Sequence, residues 1–186
     1  QSDTPNSFVG IDNRAAGATV GRLMGRFCSG RAGPVAVITD TMQARDSLER
    51  RLGFDRVINQ SFPDLSVLPS LETHADPDRT QQIIENTFEA HPDLVGLYIM
   101  GSEARIPLLA VDQYGRRCDL VEIAHERTPS TVEALRSDQL DAVVTQDPGH
   151  LVRSAVRILR AKCENRATVA SQEKIRIEII MRENLY

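Results

Sequence analysis

The sequence alternates short runs of β-branched residues with longer stretches in which apolar residues recur every three or four positions. We predict strands at 8–12, 35–39, 65–71, 94–100, 119–124 and 140–145, followed respectively by helices at 15–28, 43–59, 77–90, 102–114, 129–136 and 150–162. The segment 174–184 alternates polar and apolar residues, which is typical of an edge strand. This alternation predicts an α/β fold, a doubly wound and mainly parallel sheet with helices on both faces.

Charge and cysteine content narrow the classes of partner. A formal net charge of −4 argues against a surface that neutralises phosphates, so any action on DNA would need another segment. Cys28, Cys118 and Cys163 are far apart and form no C-x-x-C pair, which predicts neither a disulfide framework nor a thiolate metal site. We therefore expect no metal and a reducing, cytoplasmic environment.

Motifs for secretion, membrane insertion and catalysis are missing from the sequence. The N-terminal QSDTPNSF has no signal-peptide pattern, and no apolar run is long enough to cross a bilayer. There is no H-E-x-x-H, G-x-S-x-G, Walker loop or G-x-G-x-x-G. We expect a protein that is not an enzyme, holds no cofactor and does not contact a membrane.

Gly21 and Gly25 form a G-x-x-x-G, which in a charged helix indicates close packing on the sheet.

Polar residues follow the predicted strands where a ligand of an open parallel sheet would bind, beyond the carboxyl ends. They are Asp40 and Arg45, then Gly101, Ser102 and Glu103, then His125 and Glu126, and finally Gln146 and Asp147. A guanidinium, carboxylates, an amide and a hydroxyl at one edge match the needs of a polyhydroxylated ligand. For Ser102 and Asp147, capping of the following helix is an equally good explanation.

Several segments resemble those of one known family. FVGIDNRAAGATVGRLMGRF at 8–27 resembles the segment that crosses between subdomains in effector domains of the lactose-repressor (LacI) family and in related periplasmic sugar-binding proteins. The segments 36–54, 90–104 and 125–159 resemble the successive ligand loops of these proteins, and 175–185 resembles their terminal strands. The IDNRAAG and RENL elements favour the repressor branch. The fold implied is the type I periplasmic-binding-protein fold.

The resemblance also implies ligand residues. The arginine of the second loop corresponds to Arg45 or Arg50, and the acidic residue of a later loop corresponds to Glu126, where the family commonly has Asp. The amide after the following strand corresponds to Gln146. Where relatives present Asn, this chain has Met-Gly-Ser, so that contact would be weakened or replaced by the hydroxyl of Ser102.

The function implied is that of the effector-binding part of a DNA-binding transcriptional regulator, working as a cytoplasmic homodimer. A small-molecule effector, expected to be a carbohydrate, would bind in a cleft between subdomains and control operator binding allosterically. We expect residues 1–30 to hold the end of the first subdomain and the crossover helix, and 31–186 the C-terminal effector-binding subdomain, with the DNA-binding headpiece absent from this chain. The alternative is a periplasmic sugar-binding protein of a transport or chemotaxis system.

Overall fold

The computed structural model describes residues 9–115, 120–168 and 175–185. The chain forms two compact units, a larger one of residues 13–145 and 179–186 and a smaller one of residues 1–12 and 146–178. The first helix belongs to the larger unit. The smaller unit contains one described helix, α6 (Pro148–Cys163).

The larger unit alternates strands and helices as the sequence predicts. Its elements are α1 (Asn13–Phe27), β1 (Gly33–Thr39), α2 (Arg45–Ser61), β2 (Leu65–Val67), β3 (Leu71–Glu72), α3 (Pro77–Ala90), β4 (Gly96–Ile99), α4 (Arg105–Tyr114), β5 (Val121–His125), α5 (Pro129–Arg136) and β6 (Ala142–Gln146), whose last residue already belongs to the smaller unit. β7 (Ile177–Ile180) begins in the smaller unit and ends in the larger one, before a short 3-10 helix at Arg182–Asn184.

The sheet has the strand order β2-β1-β4-β5-β6-β7, with β3 also pairing with β1. The register is parallel for β1 with β2, β3 and β4, for β4 with β5, and for β5 with β6. The prediction of an α/β fold with a mainly parallel sheet is thereby confirmed. Since parallel strands lie with their carboxyl ends at one edge, the loops after β1, β4 and β5 gather there.

The central strands are buried on both faces, as is typical of a parallel sheet. All residues of β4 and β5 are buried, including Tyr98 and His125. One face carries a cluster of aliphatic residues formed by strands and by α3, α4 and α5; it includes Ile38, Ile84, Leu97, Ile99, Leu108, Ala124, Leu135 and Val143. A buried side chain of this size contributes about 1.5–3 kcal/mol to folding, so this layer stabilises the edge that carries the polar loops.

Two predicted strands differ from the structure. Residues 9–12 form no strand, and Phe8 lies outside the described residues. The predicted strand at 65–71 is split into β2 and β3 around Pro69, because proline has no N–H to donate to the ladder.

Helices α1 and α2 meet backbone to backbone through glycines. A Cβ on Gly17 would lie 1.9 Å from the carbonyl oxygen of Arg50, and one on Gly53 would lie 2.0 Å from that of Arg14. The expectation that Gly21 and Gly25 pack on the sheet is wrong, since their nearest neighbours are Phe54 and Phe62, in and directly after α2. No other residue type leaves room for so close an approach.

Among the described residues, no helix combines the length and apolar character needed to span a bilayer. The same part of the chain brings together no group of three or more His, Cys, Asp or Glu side chains that could hold a metal ion.

Candidate ligand-binding site

Arg50 is the centre of a hydrogen-bonded cluster at the carboxyl edge of the sheet. The side chain projects from α2 and is buried. Its Nε donates to Asn13 Oδ1 at 3.1 Å, its Nη1 to the Met100 carbonyl at 3.2 Å, and its Nη2 to Glu126 Oε1 at 3.3 Å. Three elements that are distant in sequence therefore hold one guanidinium in a fixed plane.

The structure separates the two arginines that the resemblance left as alternatives. Arg45 is the first residue of α2, its side chain is 90% exposed, and it pairs with Glu49 at 2.8 Å one turn along the helix. Arg50 lies on the opposite, buried side of α2. Only Arg50 of this pair contacts another predicted site residue, Glu126.

Glu126 directly follows β5. Both of its carboxylate oxygens and both of its backbone polar groups form hydrogen bonds. Its Oε1 accepts from Arg50 and its Oε2 accepts from the Thr145 hydroxyl at 3.4 Å. Its amide donates to the Val144 carbonyl at 3.0 Å, and its own carbonyl accepts from the Thr131 hydroxyl at 3.0 Å. Its φ of +66° is in the left-handed region, a conformation that costs a non-glycine residue about 1–2 kcal/mol.

His125 was expected at the edge of the sheet, beside Glu126, but it lies inside β5 and is fully buried. The strand is one residue longer than its apolar sequence indicates. The imidazole packs on the Tyr98 ring with centroids 5.5 Å apart, and Tyr98 packs on Phe54 at 5.0 Å. Burial and the nearby Arg50 guanidinium lower the pKa of His125 well below its usual range, so the ring is neutral.

The loop after β4 contributes backbone rather than side-chain groups to this cluster. The carbonyl of Met100 accepts a hydrogen bond from Arg50. Ser102 is exposed and does not cap α4. The Arg105 amide in the first turn of α4 instead donates to Glu103 Oε1. A Cβ on Gly101 would lie 3.2 Å from Asp40 Oδ1. The Asp40 carboxylate thus occupies the space beside position 101, where a larger side chain would stand.

A small cavity of about 20 Å³ lies next to Asp40 and Gly101, with room for roughly one water molecule. Asp76 and Glu103 also line it, and its lining contains no lysine or arginine. Both carboxylates already accept backbone hydrogen bonds at helix starts. The cavity therefore adds acidic, acceptor-rich surface to this edge of the sheet.

Gln146 and Asp147 belong to the smaller unit. Asp147 caps α6, because its Oδ1 accepts from the His150 amide at 2.9 Å and Pro148 occupies the first turn. That hydrogen bond lowers the pKa of the Asp147 carboxyl. Gln146 ends β6 and is half-buried, and its Oε1 has no hydrogen-bond partner among the described residues. Asp147 thus caps α6, whereas the ligand role of Gln146 stays a prediction.

Three contacts of the cluster were not singled out by the sequence. Asn13, Thr145 and the Met100 carbonyl hold the Arg50–Glu126 pair, but each is unremarkable in its local segment. The sequence signal that could have identified Asn13 and Thr145 is a polar residue near the start of a helix or near the end of a buried strand.

Solved structures of sugar-binding proteins share the fold of nearly the whole chain. A glucose-galactose binding protein, GanP, from Geobacillus stearothermophilus aligns with a TM-score of 0.86 at 22% identity, covering 99% of this chain and 66% of that one. A solute-binding protein of an ABC transporter from Burkholderia graminis, in complex with D-arabinose, aligns with a TM-score of 0.82 at 24% identity and the same coverage.

Curated relatives include the ribose import binding protein RbsB. The protein of Salmonella typhimurium strain LT2 is 23% identical over 144 residues, covering 74% of this chain and 47% of its own length. That of Escherichia coli K12 is 23% identical over 152 residues, covering 76% and 50%. The chain spans about half the length of these relatives, which are import proteins and not LacI-type regulators.

The periplasmic binding protein domain family matches residues 1–167, most of the chain. The match agrees with the parallel sheet. It also agrees with the expectation of a protein that binds a ligand and does not catalyse a reaction. The chain belongs to the periplasmic binding protein domain family.

Proposed function

We propose that this chain is the sugar-binding part of a solute-binding protein of a transport system, and that Arg50 and Glu126 hydrogen-bond the sugar. The observation that carries the proposal is the Arg50–Glu126 pair, held at 3.3 Å at the carboxyl edge of a parallel sheet. Ligands of such sheets bind at this edge. Gln146, the last residue of β6, is proposed as a further ligand residue.

The pair has donors and acceptors left for a ligand. A guanidinium carries five N–H groups, and Asn13, Met100 and Glu126 each take one from Arg50. One N–H on each Nη remains, and the Glu126 carboxylate keeps further lone pairs. A sugar hydroxyl donates and accepts at once, so a neighbouring cation and carboxylate satisfy both of its capacities.

The relatives favour transport over transcription, whereas two sequence elements favour transcription. The ribose import proteins and the ABC-transporter protein with D-arabinose favour transport, and with it a location outside the cytoplasmic membrane. The second candidate is the effector-binding part of a LacI-family regulator, favoured by the IDNRAAG element at 11–17 and the RENL element at 182–185. That candidate requires a DNA-binding headpiece, a homodimer and a cytoplasmic location.

Calorimetric titration with D-ribose, D-arabinose, D-glucose and D-galactose tests the proposal. We expect at least one of these sugars to bind, and the Arg50→Gln variant to lose that binding while Arg45→Gln keeps it. Arg45 is the matched control because it lies on the same helix but faces solvent. Equal affinities of the two variants, or no binding across the panel, would contradict the proposal.

Transport and transcription are separated by a different measurement. The gene product is fractionated into cytoplasmic and extracytoplasmic pools, and its binding to DNA fragments from its own locus is measured with and without the sugar that binds. Extracytoplasmic location without DNA binding supports the transport protein. Cytoplasmic location with sugar-dependent DNA binding would establish the regulator instead.

A further inference from the structure

Each member of the Arg50–Glu126 pair is hydrogen-bonded to a neutral, buried side chain. Asn13, the first residue of α1, accepts from Arg50 Nε at 3.1 Å. Thr145, in β6, donates from its hydroxyl to Glu126 Oε2 at 3.4 Å and accepts from the Arg127 amide at 3.3 Å. Both side chains are more than nine-tenths buried.

These contacts fix the two degrees of freedom that matter for binding. A guanidinium turns about its last side-chain bonds, and a bond to Nε sets the plane in which both Nη groups point. A carboxylate turns about its own terminal bond, and a bond to Oε2 sets the direction of Oε1. Asn13 and Thr145 do so without adding charge, so the Arg50–Glu126 attraction is not weakened.

The two residues also have a particular place in the chain. Asn13 is the first residue of the larger unit after the chain enters it, and Thr145 is the last before the chain leaves it for the smaller unit. Both ends of the ion pair are thus bonded to residues at chain crossings. A ligand that engages Arg50 and Glu126 acts on these crossings through one hydrogen bond each.

We propose that Asn13 and Thr145 are positioning residues of the ligand site, which preorganise Arg50 and Glu126 and couple their occupancy to backbone order at the first two of the three chain crossings. The expected effect on sugar affinity rests on the proposed function. Preorganised groups bind more tightly because less rotamer freedom is lost on association. A merely structural role predicts lower stability and no selective effect on binding.

Isosteric variants and a conservative rescue separate these roles. Asn13→Leu and Thr145→Val remove the hydrogen-bonding atoms at nearly constant volume, whereas Thr145→Ser keeps the hydroxyl. Calorimetric titration with D-ribose, D-arabinose, D-glucose and D-galactose measures affinity for each protein. We expect about a tenfold loss for Leu and Val, and a value within about threefold of the parent for Ser.

Thr87→Val is the matched control. Thr87 is a buried threonine of the same unit, and its hydroxyl donates to the Ile83 carbonyl at 2.7 Å within α3. Its loss should lower thermal stability by an amount similar to Thr145→Val and leave affinity unchanged. Equal affinity losses in Thr87→Val and Thr145→Val would overturn the positioning role.

A measurement that needs no sugar distinguishes failure of this inference from failure of the proposed function. Hydrogen exchange of the Arg50 Nε–H, followed by nitrogen-15 NMR, should be slow in the parent and at least about tenfold faster in Asn13→Leu. Unchanged exchange would overturn the role of Asn13 whether or not a sugar binds. When a sugar binds, amide exchange at residues 12–13 and 145–146 should slow in the parent and not in the Leu/Val double variant; a slowing of equal size in both would overturn the coupling.

Discussion

Arg50 Nη2 and Glu126 Oε1 lie 3.3 Å apart although 76 positions separate the two residues in the chain. The partners are unequally buried, with 9% of the Arg50 side chain exposed against 27% for Glu126. The cation is therefore the more buried of the two, and it donates to three protein acceptors. A buried charge in such a place is stable only while its partners remain.

Replacing Arg50 by Met should affect both binding and stability. The variant loses charge-assisted hydrogen bonds to the sugar, so we expect affinity to fall about 10- to 100-fold. It also leaves Asn13 Oδ1 and Glu126 Oε1 without their donor, which should lower the free energy of unfolding by about 1–3 kcal/mol. Calorimetry and urea unfolding measure the two effects. Arg45→Met should change neither, and a parent-like Arg50→Met protein would contradict the assignment.

Replacing Glu126 by Gln keeps the size of the side chain and removes its charge. The amide still reaches Arg50 and Thr145, so we expect the fold to persist with a melting temperature within a few degrees of the parent. Affinity for the sugar should fall about tenfold, because a neutral acceptor forms weaker hydrogen bonds than a carboxylate. Glu133→Gln, on an exposed face of α5, is the control. Parent-like binding by Glu126→Gln would show that the carboxylate is not needed.

His125 gives the fold a dependence on pH. Because burial and Arg50 lower its pKa in the folded state, the unfolded chain takes up a proton below about pH 6.5 and the folded chain does not. Stability should therefore fall on acidification from pH 6.5, by up to about 1.4 kcal/mol per pH unit from this residue. Urea unfolding of the parent and of His125→Phe between pH 7 and pH 5 isolates the effect. A difference between the two proteins that stays constant over this range would rule it out.

The glycine contacts between α1 and α2 predict graded effects of alanine. Gly17→Ala would place a methyl group against the Arg50 backbone, so we expect a loss of about 1–3 kcal/mol and weaker sugar binding. At Gly21 the nearest atom lies at 3.0 Å, and the gain in helix propensity, about 1 kcal/mol, offsets much of the clash. Thermal unfolding of both variants should show the larger loss for Gly17→Ala. The reverse order would contradict the packing described here.

Local signals allowed several elements to be predicted from the sequence to the residue. The predicted bounds of α3 and α5 agree with the structure because Asp76 and Thr128 cap these helices and proline occupies each first turn. The strand expected at 8–12 has no such local definition, and strand formation depends on neighbours that are distant in sequence. The parallel sheet itself followed from the order of elements, which is a property of the whole chain.

The site was only partly predictable. Glu126 is recognisable because it follows a buried strand, but the choice between Arg45 and Arg50 depends on how α2 is turned against α1 and β5. That rotation is set by the glycine contacts and by the hydrogen bond that Arg50 donates to Asn13. No local sequence pattern indicates either contact. The strand was predicted to end at residue 124, because the polar His125 resembles the start of a loop. In the structure β5 includes His125, whose ring is buried against Tyr98.

The contact of Gly17 with the Arg50 backbone has a consequence for redesign. Main-chain atoms fix the position of the Arg50 backbone, so side-chain changes at exposed positions of nearby loops leave that backbone in place. A library that randomises the exposed residues 102, 103 and 127 would retune the choice of sugar while keeping a constant anchor. Selection on such a library would explore specificity separately from folding.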